Sequence, residues 1–129
     1  VVLEGTLLKP SMVLSGSTAN NRANANEVAI KTIECFSRSV PAAVPGIVFL
    51  SGGQSDQEAT TNLNAINKRA AEVNAPWQLS FSYGRGLQAS PLKAWSGEVN
   101  NVKAAQDAFH HRAKLTSAAR QGIYSPDME

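Results

Sequence analysis

Three short stretches of this chain carry residue types that can do chemistry. Lys9 closes an apolar, β-branched run, VVLEGTLLKP (Val1–Pro10). Ser51-Gly52-Gly53 follows a second apolar run, and Ser82-Tyr83-Gly84-Arg85 follows a third. A primary amine at the C-terminal end of a buried strand sits where loss of solvent favours its neutral form. Such an amine is a nucleophile that condenses with a ketone or aldehyde to a Schiff base. A Ser-Gly-Gly loop running into a capped helix offers backbone N–H groups that no side chain shields, and the helix N-terminus favours a phosphate. Arg85 adds a charged, forked donor for the same oxyanions. Each feature has a plain alternative. Lys9 could be a solvated lysine ending a strand, the glycines could merely turn the chain, and Arg85 could be a surface charge. A lone Gly-Gly carries little; all three features on consecutive strand ends carry more.

The elements that must position these residues alternate. Val1–Leu8 reads as a strand whose continuous apolar character suits burial on both faces. Ser11–Asn24 is rich in Ser, Asn and Gly and reads as a loop. From about Glu27 to Ser39, Val28, Ile30, Ile33 and Phe36 have helical spacing, with Pro41 beyond the end. Gly46 opens the strand Ile47–Leu50. Ser55-Asp56-Gln57-Glu58 has the form of a capping box and predicts a helix to about Val73, with Ala59, Leu63, Ile66 and Ala70 buried. Pro76 precedes a third strand, Trp77–Tyr83. A short helix over Leu87–Trp95 follows, then a longer one from about Asn100 to Arg120, stopped by Gly122. This β-α-β-α-β-α order predicts parallel strands joined by right-handed crossovers. Chemistry in such folds gathers at the C-terminal strand ends, where the three stretches lie. Three parallel strands leave two open edges and need both faces covered, so the chain reads as part of a larger α/β assembly.

Composition sets the bounds. The chain has 129 residues, 43% hydrophobic and 17% charged, which suits one ordered domain. A net charge of +2 with scattered basic residues does not argue for nucleic acid or an anionic membrane. The single Cys35 cannot close an intrachain disulfide, which fits a reducing compartment. No apolar stretch is long enough to span a bilayer. The chain begins without methionine, inside what reads as a strand, and this points to a fragment, a processed chain or an incompletely covered protein.

LEGTLLKP (Leu3–Pro10), FLSGGQS (Phe49–Ser55), NLNAIN (Asn62–Asn67), FSYGR (Phe81–Arg85) and LKAW (Leu92–Trp95) closely resemble class I fructose-1,6-bisphosphate aldolase, in that family's order and spacing. The family fold is a single (β/α)8 barrel, of which residues 1–129 would supply the C-terminal part, the last three βα units, with the preceding strands absent. The resemblance puts Lys9 where the family has its Schiff-base lysine. Ser51, Gly52 and Gly53 match one loop of the substrate phosphate site, and Gly84 and Arg85 match its partner half, with Ser82 lining the pocket. The implied activity is reversible cleavage of fructose 1,6-bisphosphate to dihydroxyacetone phosphate and glyceraldehyde 3-phosphate. It implies no metal and no cofactor, and a homo-oligomer, commonly a tetramer; a cytoplasmic location is the default expectation.

Departures from the family pattern define the alternative. The family's glutamate acid/base, its other active-site lysines and its aspartate belong to strands upstream of Val1. Glu4 falls well before the strand end and reads as structural, partnered with a nearby basic or polar group. If the polypeptide really ends with these residues, it is a non-catalytic, phosphate-binding barrel fragment. The ending Ser125–Glu129 lacks the family's tyrosine-terminated tail and fits either a shorter bacterial member or a truncation. The remaining conspicuous residues have bland readings. Adjacent His110 and His111 point about 100° apart on a helix and cannot share a metal. Cys35 reads as a core or boundary residue, Trp77 and Trp95 as packing residues and Lys93 as a surface charge. The run Asn20–Asn26 reads as a loop and helix cap.

Overall fold

A computed structural model describes residues 1–129. Three strands, β1 (Leu7–Leu8), β2 (Gly46–Phe49) and β3 (Gln78–Phe81), form one parallel sheet in the order β1-β2-β3. Between them run α1 (Ala25–Ser39) and α2 (Asp56–Glu72), and β3 is followed by α3 (Arg85–Trp95) and α4 (Val102–Arg120). The register pairs Leu8 with Ile47, Ile47 with Leu79 and Phe49 with Phe81. Hydrogen bonds extend the ladder past the assigned strand ends, from Leu50 N–H to Pro10 O at 3.1 Å and from Ser82 N–H to Phe49 O at 2.8 Å.

Side chains alternate between the two faces of a sheet. Ile47, Phe49 and Leu79 point to one face and are buried. There Phe36 of α1 stacks on Phe49 with ring centroids 5.7 Å apart and meets Trp77 edge-on at 6.3 Å. Leu63 and Ile66 of α2 and Leu115 of α4 complete this core with no more than 1% of their surface exposed. Val48 and Ser80 on the opposite face are only partly buried. The sheet is therefore covered on one face, because its helices pack as one layer, α1 on α2, α2 on α4 and α4 on α3.

The helix boundaries follow local chemistry. Asn24 caps α1, its side chain accepting from Asn26 N–H and Glu27 N–H while Glu27 returns a bond to Asn24 N–H. Ser55 and Glu58 form the second capping box, at the start of α2. Ala59, Leu63, Ile66 and Ala70 are buried as their spacing predicts. After α4 the chain turns at Gly122, whose φ of 72° lies in the left-handed region that glycine adopts freely. Ser55→Ala removes the acceptor for Glu58 N–H and is expected to cost about 1 kcal/mol. Thermal unfolding of the variant should show a drop of a few degrees.

Several expectations need correction. Val1–Leu8 is not one strand. Leu3–Gly5 is a 3-10 turn, closed by Thr6 N–H on Leu3 O and Thr6 Oγ1 on Val2 O, and only Leu7 and Leu8 are extended against β2. Burial on both faces fails with it, since Leu7 is 65% exposed at the edge of the sheet. Ile30 sits on the outer side of α1 and is exposed, as is Cys35. Trp95 stays 42% exposed, whereas Trp77 is buried with its indole N–H donated to Pro41 O. Glu4 is exposed and takes part in no hydrogen bond or ion pair, because no basic side chain reaches the 3-10 turn.

Candidate active site

The ladder decides where Lys9 lies. Continuing the register by one residue sets Lys9 beside Val48 and Ser80, on the uncovered face. Two residues further along the same face stand Leu50 and Ser82. Lys9 and Ser82 thus share a face, two strands apart, or roughly 10 Å in the hydrogen-bonding direction. Both are exposed. The desolvation expected around Lys9 is not supplied by this chain's own sheet, because nothing here covers the face that carries it.

Ser51 and Tyr83 fall on the opposite, helix-covered face. Ser51 is 6% exposed, and its Oγ accepts from Gly86 N–H at 3.2 Å. Tyr83 donates its hydroxyl to Ala59 O in the first turn of α2 at 3.1 Å, and burial pushes its phenol above the ordinary tyrosine range. These two bonds join the loop after β2 to the loop after β3. Ser90 of α3 adds a third tie, its Oγ donated to Asp56 Oδ2 at 2.8 Å.

Between these ties the backbone is rich in free donors. Gly53 has a φ of 77°, a conformation that strains any residue with a Cβ. The N–H groups of Gly52 and Gly53 have no protein acceptor, while Gln54 N–H closes the turn on Ser51 O at 3.2 Å. Gly84 caps α3 with no side chain over the helix end. Leu87 N–H and Gln88 N–H both go to Gly84 O, which leaves Arg85 N–H without an acceptor. The Arg85 guanidinium is exposed and enters no ion pair. A cation and at least three unpartnered N–H groups on two joined loops, beside two helix N-termini, suit an anion with several oxygens.

All the expected residues therefore lie at one end of the sheet, but they are sorted by face. Ser51 is committed to the helix layer, Lys9 and Ser82 to the open face, and Gly52, Gly53, Gly84 and Arg85 to the rim between them. No enclosed cavity surrounds them. The surface concavities of 300, 360 and 450 Å³ are lined by residues of α1, α2 and the loops before them instead. The two histidines are exposed, Lys93 is a surface charge, and no group of three or more His, Cys, Asp or Glu side chains converges as metal ligands would. The ties made by Tyr83, Ser90 and Gly86 escaped the sequence argument. They join residues 24 to 35 positions apart and leave no local pattern.

Known proteins resemble the chain along its whole length. It is 54% identical over 126 residues to the non-muscle fructose-bisphosphate aldolase of Lethenteron camtschaticum, covering 98% of this chain and 34% of that protein. The identity to the cytosolic fructose-bisphosphate aldolase 4 of Arabidopsis thaliana is also 54%, over 129 residues and 32% of that protein. The fold superposes with a TM-score of 0.91 and 47% identity on a fructose-bisphosphate aldolase of Plasmodium falciparum solved with TRAP and a small-molecule inhibitor. That match covers 97% of this chain and 35% of the other. The chain spans about a third of the length of the relatives it matches. Its sheet and helices are accordingly those of a portion of a (β/α)8 barrel, in which the uncovered face is the one turned to the barrel interior. With the family model for class-I fructose-bisphosphate aldolase matching residues 1–129 throughout, the chain belongs to that family.

Proposed function

We propose that the protein to which this chain belongs cleaves fructose 1,6-bisphosphate reversibly to dihydroxyacetone phosphate and glyceraldehyde 3-phosphate through a Schiff base on Lys9. The Lys9 amine adds to the ketose carbonyl and water leaves, giving a protonated imine. That imine accepts the electron pair of the breaking carbon–carbon bond while a base removes the proton of the neighbouring hydroxyl. The aldehyde half departs, and protonation of the enamine followed by hydrolysis frees the ketone half and the lysine. Residues upstream of this chain would supply the acid/base, as the family resemblance implies. Ser51, Gly52 and Gly53 with Gly84 and Arg85 hold one phosphate, and Ser82 lines the pocket. Holding the phosphate keeps the carbonyl within reach of the amine. The scheme needs no metal, because the imine does the polarising.

The observation that carries this reading is the meeting of an open-face lysine and two donor-rich loops on three neighbouring strand ends. Family membership and the cytosolic aldolase among the relatives support a cytoplasmic sugar-phosphate lyase, and the family resemblance extends this to a homotetramer. Borohydride reduction of the intact protein with dihydroxyacetone phosphate, followed by peptide mapping, tests it. One reduced adduct on Lys9 is expected; no adduct, or an adduct on another lysine, overturns it. The exposure of Lys9 favours a second outcome for residues 1–129 alone, phosphate binding without covalent trapping.

A further inference from the structure

Arg112 of α4 is the buried cation that neither the fold nor the phosphate loops account for. It is 5% exposed. Its guanidinium donates to Asp56 O at 3.2 Å and to Thr60 Oγ1 at 2.7 Å, both in the first turns of α2, and to Glu129 Oε2. Glu129 is held in turn by the Tyr124 hydroxyl, 2.9 Å from its other oxygen. The Arg112 Nε–H is buried with no acceptor at all. Burying a charge is costly, and a chain that needed only packing here would do as well with an apolar side chain. The sign is also wrong for the helix. A helix N-terminus carries partial positive charge, so a cation beside it destabilises α2, where an anion would help. What a positive charge beneath that helix end does favour is an anion on the loop in front of it.

We propose that Arg112 is a positioning residue for the substrate phosphate, holding the first turn of α2 behind the Ser51–Ser55 loop and adding positive potential to it. The mechanical part follows from the contacts. Asp56 is the first residue of the helix that Ser55 caps and Thr60 stands one turn further, so their grip sets where Gly52 N–H and Gly53 N–H point. The electrostatic part follows from burial. The guanidinium reaches Asp56 O, directly behind that loop, and a charge out of solvent is screened less than an exposed one. Glu129 tempers the field: its Oε2 accepts from Nη1, while Nη2 donates to Asp56 O and Thr60 Oγ1. This role rests on the phosphate site proposed above.

Two substitutions in the intact enzyme separate the role from that of a strut. Arg112→Met removes the charge and keeps the stem, whereas Glu129→Gln removes the counter-charge and keeps the shape. Both break the same ion pair, so a strut would fail in the same direction in both. The readout is the half-saturating concentration for borohydride trapping with dihydroxyacetone phosphate, divided by that with unphosphorylated dihydroxyacetone. Arg112→Met is expected to raise this ratio about 3- to 10-fold and Glu129→Gln to lower it about 2-fold. A ratio that moves the same way in both variants, or in neither, overturns the proposal. Should Arg112→Met fail to fold, Glu129→Gln decides alone: a lower ratio supports the role, and an unchanged or higher one ends it. Calorimetric binding of inorganic phosphate to the same proteins keeps the two readings apart. If the wild type binds phosphate but traps no ketone, the lysine chemistry has failed, and opposite shifts in phosphate affinity still decide for Arg112.

Discussion

Lys9→Ala in the intact protein is expected to abolish the reduced adduct and to lower turnover roughly 10⁴-fold or more, with the fold unchanged. The size follows from what the amine does. In the proposed scheme it is not one of several groups sharing a charge; it forms the bond through which electrons leave the breaking carbon–carbon bond. None of this chain's own residues on the open face can replace it, since Val48, Leu50, Ser80 and Ser82 carry no amine. Stability should move little, because the Lys9 amine makes no hydrogen bond or ion pair within this chain. The check is an intact-mass spectrum after reduction, alongside a thermal melt. Residual trapping at wild-type level would place the nucleophile elsewhere. Loss of activity through unfolding, seen in the melt, would instead mean that the residue is structural.

The second large effect falls on affinity. Arg85→Ala is expected to weaken binding of dihydroxyacetone phosphate by about 10- to 100-fold while leaving unphosphorylated dihydroxyacetone unchanged. A hydrogen bond to a charged group contributes about 1.5–3 kcal/mol, and each 1.4 kcal/mol is a factor of ten in affinity. The guanidinium has no protein partner to lose, so its removal leaves no buried group unsatisfied. The backbone donors of Gly52, Gly53 and Arg85 itself survive the substitution, which is why binding weakens and does not vanish. Titration with both ketones reads the effect. Equal losses for the two would count against phosphate as the partner of Arg85.

These two residues also differ in how the fold supports them. Lys9 depends on a two-residue strand at the open edge of the sheet, with one neighbour. Arg85 stands at the start of a helix tied to α2 by Ser90 and to Ser51 through the next residue's N–H. The proposed phosphate half of the site is therefore preorganised within this chain. The nucleophile half is placed by register but left uncovered, and in the whole barrel its surroundings come from elsewhere. An enzyme gains from holding donors where charge will sit before substrate arrives.

The sequence by itself determined the alternation of elements, the two capping boxes, the buried stripe of α2 and the family, because each is written in residues close along the chain. Helical spacing located Val28, Ile33 and Phe36, and Ser-x-x-Glu located the start of α2, for the same reason. It misjudged Val1–Leu8, where apolar composition resembles a buried strand but Gly5 and Thr6 close a local turn and a single neighbouring strand pairs only two residues. It read Trp95 as packed and Cys35 as core or boundary, since spacing shows that a face exists but not how wide the cover over it is. Only the tertiary structure decided which face of the sheet each site residue meets. Side chains alternate along a strand, so the helix layer on one side commits Ser51 inward and leaves Lys9 and Ser82 outward. The bonds from Tyr83 to α2, from Gly86 to Ser51 and from Arg112 to Asp56 and Thr60 were likewise decided there, because their partners meet only when the helices pack.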